Sequence, residues 1–253
     1  MVKTWNISFP ATEQKERRRR AYVYLPTMYK EQPRRRFPVL YMFDGHNVFY
    51  DSHATYGKSW GMKEYLEKSK LPLILVAVEC NPEGDNRMSE YTPYDIWWKG
   101  KLMFPARGQL TMDWFVNELK PRIDREYRTL ADREHTLIAG SSMGGLMAIY
   151  AAVAYNNTFS RAAALSPSLW ATRHHEKELQ AAAPLRSPTR IYMDMGTGEA
   201  GKHTSVLTGL FDTAKRLTRM GAHVDARVVP DAQHSEAYWE QRIPVFMEYL
   251  LKE

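Results

Sequence analysis

His135-Thr136-Leu137-Ile138-Ala139-Gly140-Ser141-Ser142-Met143-Gly144-Gly145-Leu146 joins two apolar runs of different kinds. Residues 135–138 are short and β-branched, which reads as a buried strand. Residues 146–155 are alanine-rich and long enough for a buried helix. Between them Gly140-Ser141-Ser142-Met143-Gly144 matches G-x-S-x-G in its strand–turn–helix context. A turn that sharp sets a side chain at either glycine against neighbouring backbone, and it lifts the Ser142 hydroxyl clear of the sheet. It also aims the first helical N–H groups at whatever that hydroxyl attacks. An incidental serine on a glycine-rich connection is the competing reading; the flanking strand and helix favour a nucleophile.

Outward from this elbow the apolar pattern alternates between strand and helix. Residues 5–9 and 21–25 read as two antiparallel strands at a sheet edge. Residues 37–43 and 71–78 are near-continuous apolar runs, as in strands covered on both faces. A helix over 59–68 separates them. Residues 79–109 are polar and aromatic with turn signals at Asn81-Pro82 and Thr92-Pro93, and read as an irregular excursion. Helical spacing over 111–127 puts Trp114, Phe115, Leu119 and Ile123 on one stripe. Beyond the elbow come strands at 161–165, 190–195 and 223–229, and helices at 205–220 and 236–251. The pattern implies an α/β fold: a mostly parallel central sheet of about eight strands with helices on both faces.

At 253 residues, with no linker, repeat or low-complexity tract, one domain over 1–253 is expected. No run approaches the length of a membrane span and the first ten residues carry no apolar signal core, so no membrane partner is expected. The single cysteine, Cys80, excludes an internal disulfide and fits a reducing, cytoplasmic setting. The net charge of +6 is concentrated in Arg17–Arg20 and Arg34–Arg36. No nucleic-acid motif accompanies these runs, and solvated charges at the ends of a strand are the expected explanation.

A serine hydroxyl needs a base, commonly a histidine held by a carboxylate. Among eight histidines, His234 follows the last expected strand, in the third slot of the nucleophile–acid–histidine order of α/β-hydrolases. The acid is expected after the preceding strand. Glu199 lies there on Gly196-Thr197-Gly198-Glu199; Asp194 lies inside the strand, and Asp231 is close to His234. Two N–H donors are needed for the tetrahedral oxyanion. Met143 offers one and His46, in Asp44-Gly45-His46-Asn47, the other, with Gly45 permitting the turn. No histidine spacing suits zinc, and the adjacent pair His174-His175 converges poorly on one ion, so no metal is expected. The aromatic density of the excursion suggests a substrate pocket with Tyr91, Trp97, Trp98 and Trp170 as its lining, and Asn47 of the oxyanion loop is expected to line it too.

Taken together, Phe43-Asp44-Gly45-His46-Asn47-Val48-Phe49, the elbow, Leu165-Ser166-Pro167-Ser168-Leu169-Trp170, Met195-Gly196-Thr197-Gly198-Glu199 and His234-Ser235-Glu236 resemble the esterase D / enterochelin esterase-like family. This group of α/β-hydrolases includes feruloyl and acetyl esterases, siderophore esterases, S-formylglutathione hydrolases and mycolyltransferases. The resemblance runs from about the second strand to the C-terminus. It implies a serine esterase without cofactor, with nucleophile, histidine and oxyanion roles on Ser142, His234 and the His46 and Met143 amides. The acid varies across the family, and position 46 is often glutamine there. The absence of a long cap or an N-terminal siderophore-binding extension weighs against a full enterochelin esterase. The expected reaction is hydrolysis of a small-molecule ester. Acyl transfer, thioester hydrolysis and a non-catalytic scaffold are the alternatives; a homo-oligomer is compatible with the sequence.

Overall fold

The computed structural model describes residues 1–10, 16–172, 184–200 and 205–252. Eight strands form one sheet: β1 (Val2–Pro10), β2 (Glu16–Tyr24), β3 (Val39–Met42), β4 (Ile74–Val78), β7 (Thr136–Ser141), β8 (Arg161–Leu165), β9 (Arg190–Gly196) and β10 (His223–Val229). Their spatial order is β1-β2-β4-β3-β7-β8-β9-β10. The β1–β2 and β2–β4 pairings are antiparallel, and the rest of the sheet is parallel.

Alternation along the strands explains the unbroken apolar runs. In β3, Val39 and Tyr41 enter one core while Leu40 and Met42 enter the other. In β4, Ile74, Val76 and Val78 face the first and Leu75 and Ala77 the second. Helices α1 (Met28–Glu31) and α2 (Met62–Ser69) precede β4. The first face is covered by α4 (Gly108–Trp114), α5 (Lys120–Glu126), α6 (Met143–Ala154) and α8 (Ser205–Arg219), through Trp114, Ile123, Met147 and Leu217. The second is covered by α2 and α9 (Glu236–Leu251), through Leu66, Trp239, Phe246 and Leu250. Both faces being dry, β-branched and aliphatic residues are favoured at every position of these strands.

Three expectations are corrected. Arg17–Arg20 lies within β2 rather than beyond its end, because β2 pairs with β1 over nine residues. Arg19 is buried there, ion-paired to Glu90, with its guanidinium 3.8 Å from the Phe9 ring centroid. The excursion over 79–109 is folded: it holds α3 (Asn86–Glu90) and an antiparallel ribbon of β5 (Ile96–Trp98) and β6 (Lys101–Phe104). Its turn is Lys99-Gly100, both at positive φ, which is the geometry a two-residue hairpin requires. The expected helix over 111–127 begins at Gly108 and passes through a π turn, Phe115–Leu119, before α5. Pro121 has no N–H to give the Asn117 carbonyl, so regular i→i−4 pairing cannot run through it. Among the described residues, no helix is long and apolar enough to cross a membrane.

Candidate active site

The elbow between β7 and α6 places Ser142 at φ 58°, ψ −123°. A non-glycine residue there costs roughly 1–3 kcal/mol of backbone strain, so the surroundings must hold it. A Cβ at Gly140 would lie 2.6 Å from the Gly144 carbonyl carbon and oxygen. At Gly144 the close neighbour is the Phe43 side chain, at 3.0 Å, rather than backbone as expected. The segment after β8 braces the turn. The Ser142 N–H donates to Leu165 O at 3.0 Å, and the Ser168 N–H donates to Ser142 O at 3.0 Å. The Ser142 hydroxyl lies 3.4 Å from the Ser168 hydroxyl, and no hydrogen bond joins it to His234.

The loop after β3 meets the same corner of the sheet. Asp44 takes the left-handed conformation (φ 55°), and a single 3₁₀ turn, Gly45–Asn47, follows. Gly45 is needed for proximity rather than for φ, since a Cβ there would sit 2.8 Å from the Val78 backbone. The His46 and Met143 amides both belong to first helical turns, where N–H groups lack intrahelical acceptors. Asp44 is buried under this loop in a two-pronged ion pair: Arg87 Nε donates to Oδ1 and Nη2 to Oδ2, each at 2.7 Å. Burial alone would raise the Asp44 carboxyl, but the Arg87 charge and hydrogen bonds outweigh it and hold it below the usual range. Removing Arg87 leaves a buried carboxylate unpaired. Arg87→Gln is expected to cost about 3–5 kcal/mol, which lowers Tm by on the order of 10 °C in a chain of this size. Thermal unfolding checks this, and a shift under about 2 °C contradicts it.

Glu199 sits on α7 (Thr197–Ala200), a single helical turn directly beyond β9 rather than a loop. Its Oε2 lies 2.7 Å from His234 Nδ1. Its Oε1 accepts from the Ser166 hydroxyl at 2.6 Å and the Gly196 N–H at 2.9 Å. Burial pushes this carboxyl up; hydrogen bonds from His234, Ser166 and Gly196 together reverse that and leave it below its ordinary value. The α7 and His234 segments are pinned by Gly198 N–H to Ala232 O (3.0 Å) and Asp231 N–H to Thr197 Oγ1 (2.8 Å). The His234 ring stands edge-on to Trp239, 5.1 Å between centroids. Asp194 lies below, within β9 and fully buried, accepting from Arg242 Nη1 (2.6 Å) and the Tyr192 hydroxyl (2.8 Å). Burial raises the Asp194 carboxyl despite these partners.

Ser142 and His234 open on one cleft of about 950 Å³. Asp44, His46, Asn47, Arg87, Glu236 and Trp239 contribute to its walls, as do Arg20, Lys58 and Glu79. Tyr91, Trp97, Trp98 and Trp170 do not, among the described residues. Tyr91 is buried behind Asp44, whose N–H donates to its hydroxyl at 3.2 Å. Trp97 pairs with Leu102 and Trp98 with Lys101 on opposite faces of the β5–β6 ribbon, so both rings stand in solvent. Trp170 is also exposed. Asp44, His46 and Cys80 bring ligand atoms within 4.8 Å of one another. They do not fit a metal: Arg87 occupies both Asp44 oxygens, and burial pushes the Cys80 thiol far up, away from the thiolate a metal needs. His174 and His175 lie outside the described residues.

Several residues of this site were not singled out in the sequence. Ser166, at φ 47°, donates to Glu199 and accepts from Trp239 Nε1 at 3.0 Å. Arg242 is buried between Asp194 and Glu199, and Arg87 carries Asp44. Glu236 accepts from Asn47 Nδ2 at 2.9 Å. The available signal is a charged pair, Glu236 and Arg242, on the otherwise apolar stripe of α9.

A family model described as "Putative esterase" matches residues 12–249. The chain is 24% identical over 212 residues to protein YbbA of Bacillus subtilis strain 168, covering 81% of this chain and 79% of that one. Its fold is similar to an IroE-like serine hydrolase from Shewanella oneidensis, with TM-score 0.76, 20% identity, and coverage of 99% of this chain and 79% of that one. It is also similar to an S-formylglutathione hydrolase from Agrobacterium tumefaciens, with TM-score 0.67, 15% identity, and coverage of 99% and 94%. At these identities the solved structures speak for the α/β-hydrolase fold.

Proposed function

The chain belongs to the "Putative esterase" family, and from that premise we propose that it is a serine carboxylesterase acting on small or aromatic acyl esters through Ser142, His234 and Glu199. The observation that carries this reading is the 2.7 Å contact of Glu199 with His234 Nδ1, on the wall of the cleft that holds the strained Ser142. With Nδ1–H committed to the carboxylate, Nε2 of the neutral ring is the free acceptor.

In the reaction the Ser142 hydroxyl turns from Ser168 to His234 Nε2, gives up its proton and attacks the ester carbonyl. The negative charge that develops on the carbonyl oxygen is met by the His46 and Met143 amides, already held in place. His234 then returns the proton to the leaving alcohol. Water attacks the acyl enzyme with the same ring as base and regenerates Ser142. Glu199 keeps the imidazole in the productive tautomer and stabilises it when charged.

The lining supports the substrate size. Charged, histidine and asparagine side chains are the commonest residues of the cleft walls, with Tyr56, Pro82, Ala237 and Trp239 among its other members, so a long alkyl chain would have to lie beside charged groups. Aryl esters of graded acyl length test this: kcat/KM for acetate is expected to exceed that for octanoate by at least about tenfold. The reverse order would contradict the short-acyl preference, and no turnover of any ester would contradict the function itself.

A further inference from the structure

We propose that Asn47 and Glu236 form a latch between the oxyanion loop and the histidine loop, making both positioning residues for the reaction rather than substrate contacts. The inference rests on the esterase reading above. Asn47 Nδ2 donates to Glu236 Oε1 at 2.9 Å, and Asn47 Oδ1 accepts from the Thr55 N–H at 2.9 Å. Its backbone is equally committed: the N–H donates to Asp44 O at 2.8 Å and the carbonyl accepts from the Trp60 N–H at 2.8 Å. Little of Asn47 is left to offer a ligand.

What lies on either side of Asn47 gives the latch its meaning. The preceding residue is His46, whose amide is assigned to the oxyanion and whose ring Nε2 sits 3.0 Å from Thr55 Oγ1. On the other flank of that amide Asp44 is gripped by Arg87. The amide is therefore fixed from both sides, and one of its two anchors is Glu236. Glu236 is itself the first residue of α9, two positions after His234. A single hydrogen bond thus ties the donor that stabilises the transition state to the base that moves the proton. Glu236 is 6% exposed, and no Lys or Arg forms an ion pair with it among the described residues. A buried carboxylate without a counter-ion is unfavourable for stability, so its geometry is the reason to keep it. Donors preset where charge develops act on the transition state more than on the bound substrate.

Asn47→Asp sets two acceptors face to face and should open the latch. With kcat normalised to the fluorophosphonate-titrated Ser142, a fall of about ten- to a hundredfold is expected, with KM within about threefold. Combining Asn47→Asp with Glu236→Gln restores a donor–acceptor pair in reversed order, and kcat should return to within about fivefold of wild type. If Asn47→Asp does not fold, Asn47→Ser breaks the same bond without adding charge and is expected to show the same fall in kcat at constant KM. A kcat within twofold of wild type in the single variant, a loss confined to KM, or a double variant no better than the single one would overturn the latch while leaving the esterase reading intact. A wild-type chain that turns over no ester overturns both.

Discussion

Ser142→Ala and His234→Ala are each expected to lower kcat by about three or more powers of ten, with KM changed far less. Ser142 combines the strand-to-helix elbow, a strained positive-φ backbone and a place on the cleft wall. His234 is the ring whose Nδ1 is committed to a buried carboxylate. In the proposed mechanism the two act as one unit, so the double variant is expected to be no worse than either single one. Backbone strain at position 142 is the same for alanine as for serine, so Tm should stay within about 2 °C, and loss of activity cannot be assigned to unfolding. A fluorophosphonate should add one label to the wild-type chain, on Ser142, and none to Ser142→Ala. A label elsewhere, or turnover of Ser142→Ala within tenfold of wild type, would remove the assignment.

The parts of this architecture that local sequence reveals are those whose chemistry is local. Strands β3, β4 and β7 read as apolar runs because both faces of the sheet are covered there, so every position carries the signal. Ser142 is legible from its glycines, and the segments after β9 and β10 are legible from their order along the chain. What escaped is nonlocal. Ser166 and Arg242 are joined by a contact across 76 residues, and Asn47 and Glu236 across 189. Nothing near Ser166 in the chain announces a partner for Glu199. The aromatic excursion misled for a physical reason. Clustered tryptophans suggested a pocket, but the Lys99-Gly100 turn folds them into a ribbon whose successive residues face opposite ways.

Glu199→Gln is expected to lower kcat by roughly two to four powers of ten, whereas Asp194→Asn is expected to act on stability. The two carboxylates are close in sequence and both buried, yet their partners differ. Glu199 has one oxygen on His234 and the other on Ser166 and Gly196. A glutamine that keeps its carbonyl on Ser166 and Gly196 turns its NH₂ toward His234 Nδ1. That ring nitrogen must then accept, which moves the proton to Nε2 and removes the base from Ser142. Asp194 has no contact with the histidine; it is the counter-ion of Arg242, whose side chain is 4% exposed. Asp194→Asn leaves that guanidinium buried without its carboxylate, keeping the Ser166 hydroxyl at 3.3 Å and a 3.7 Å approach to Glu199, at a cost of about 3–5 kcal/mol. Tm should fall while the folded fraction keeps most of its turnover. The pH dependence separates the pair further. Glu199 titrates lower in the folded chain than its unfolded value of about 4.3, so its ionisation stabilises the fold above that pH, and the contribution is lost as pH falls through the folded value. The stability difference between wild type and Glu199→Gln should therefore shrink in acid. For Asp194, whose folded value is raised by burial, no such shrinkage in acid is expected. A large kcat loss in Asp194→Asn with a normal Tm would move the orienting acid to Asp194, and near-normal kcat in both variants would reduce the machinery to Ser142 and His234 alone.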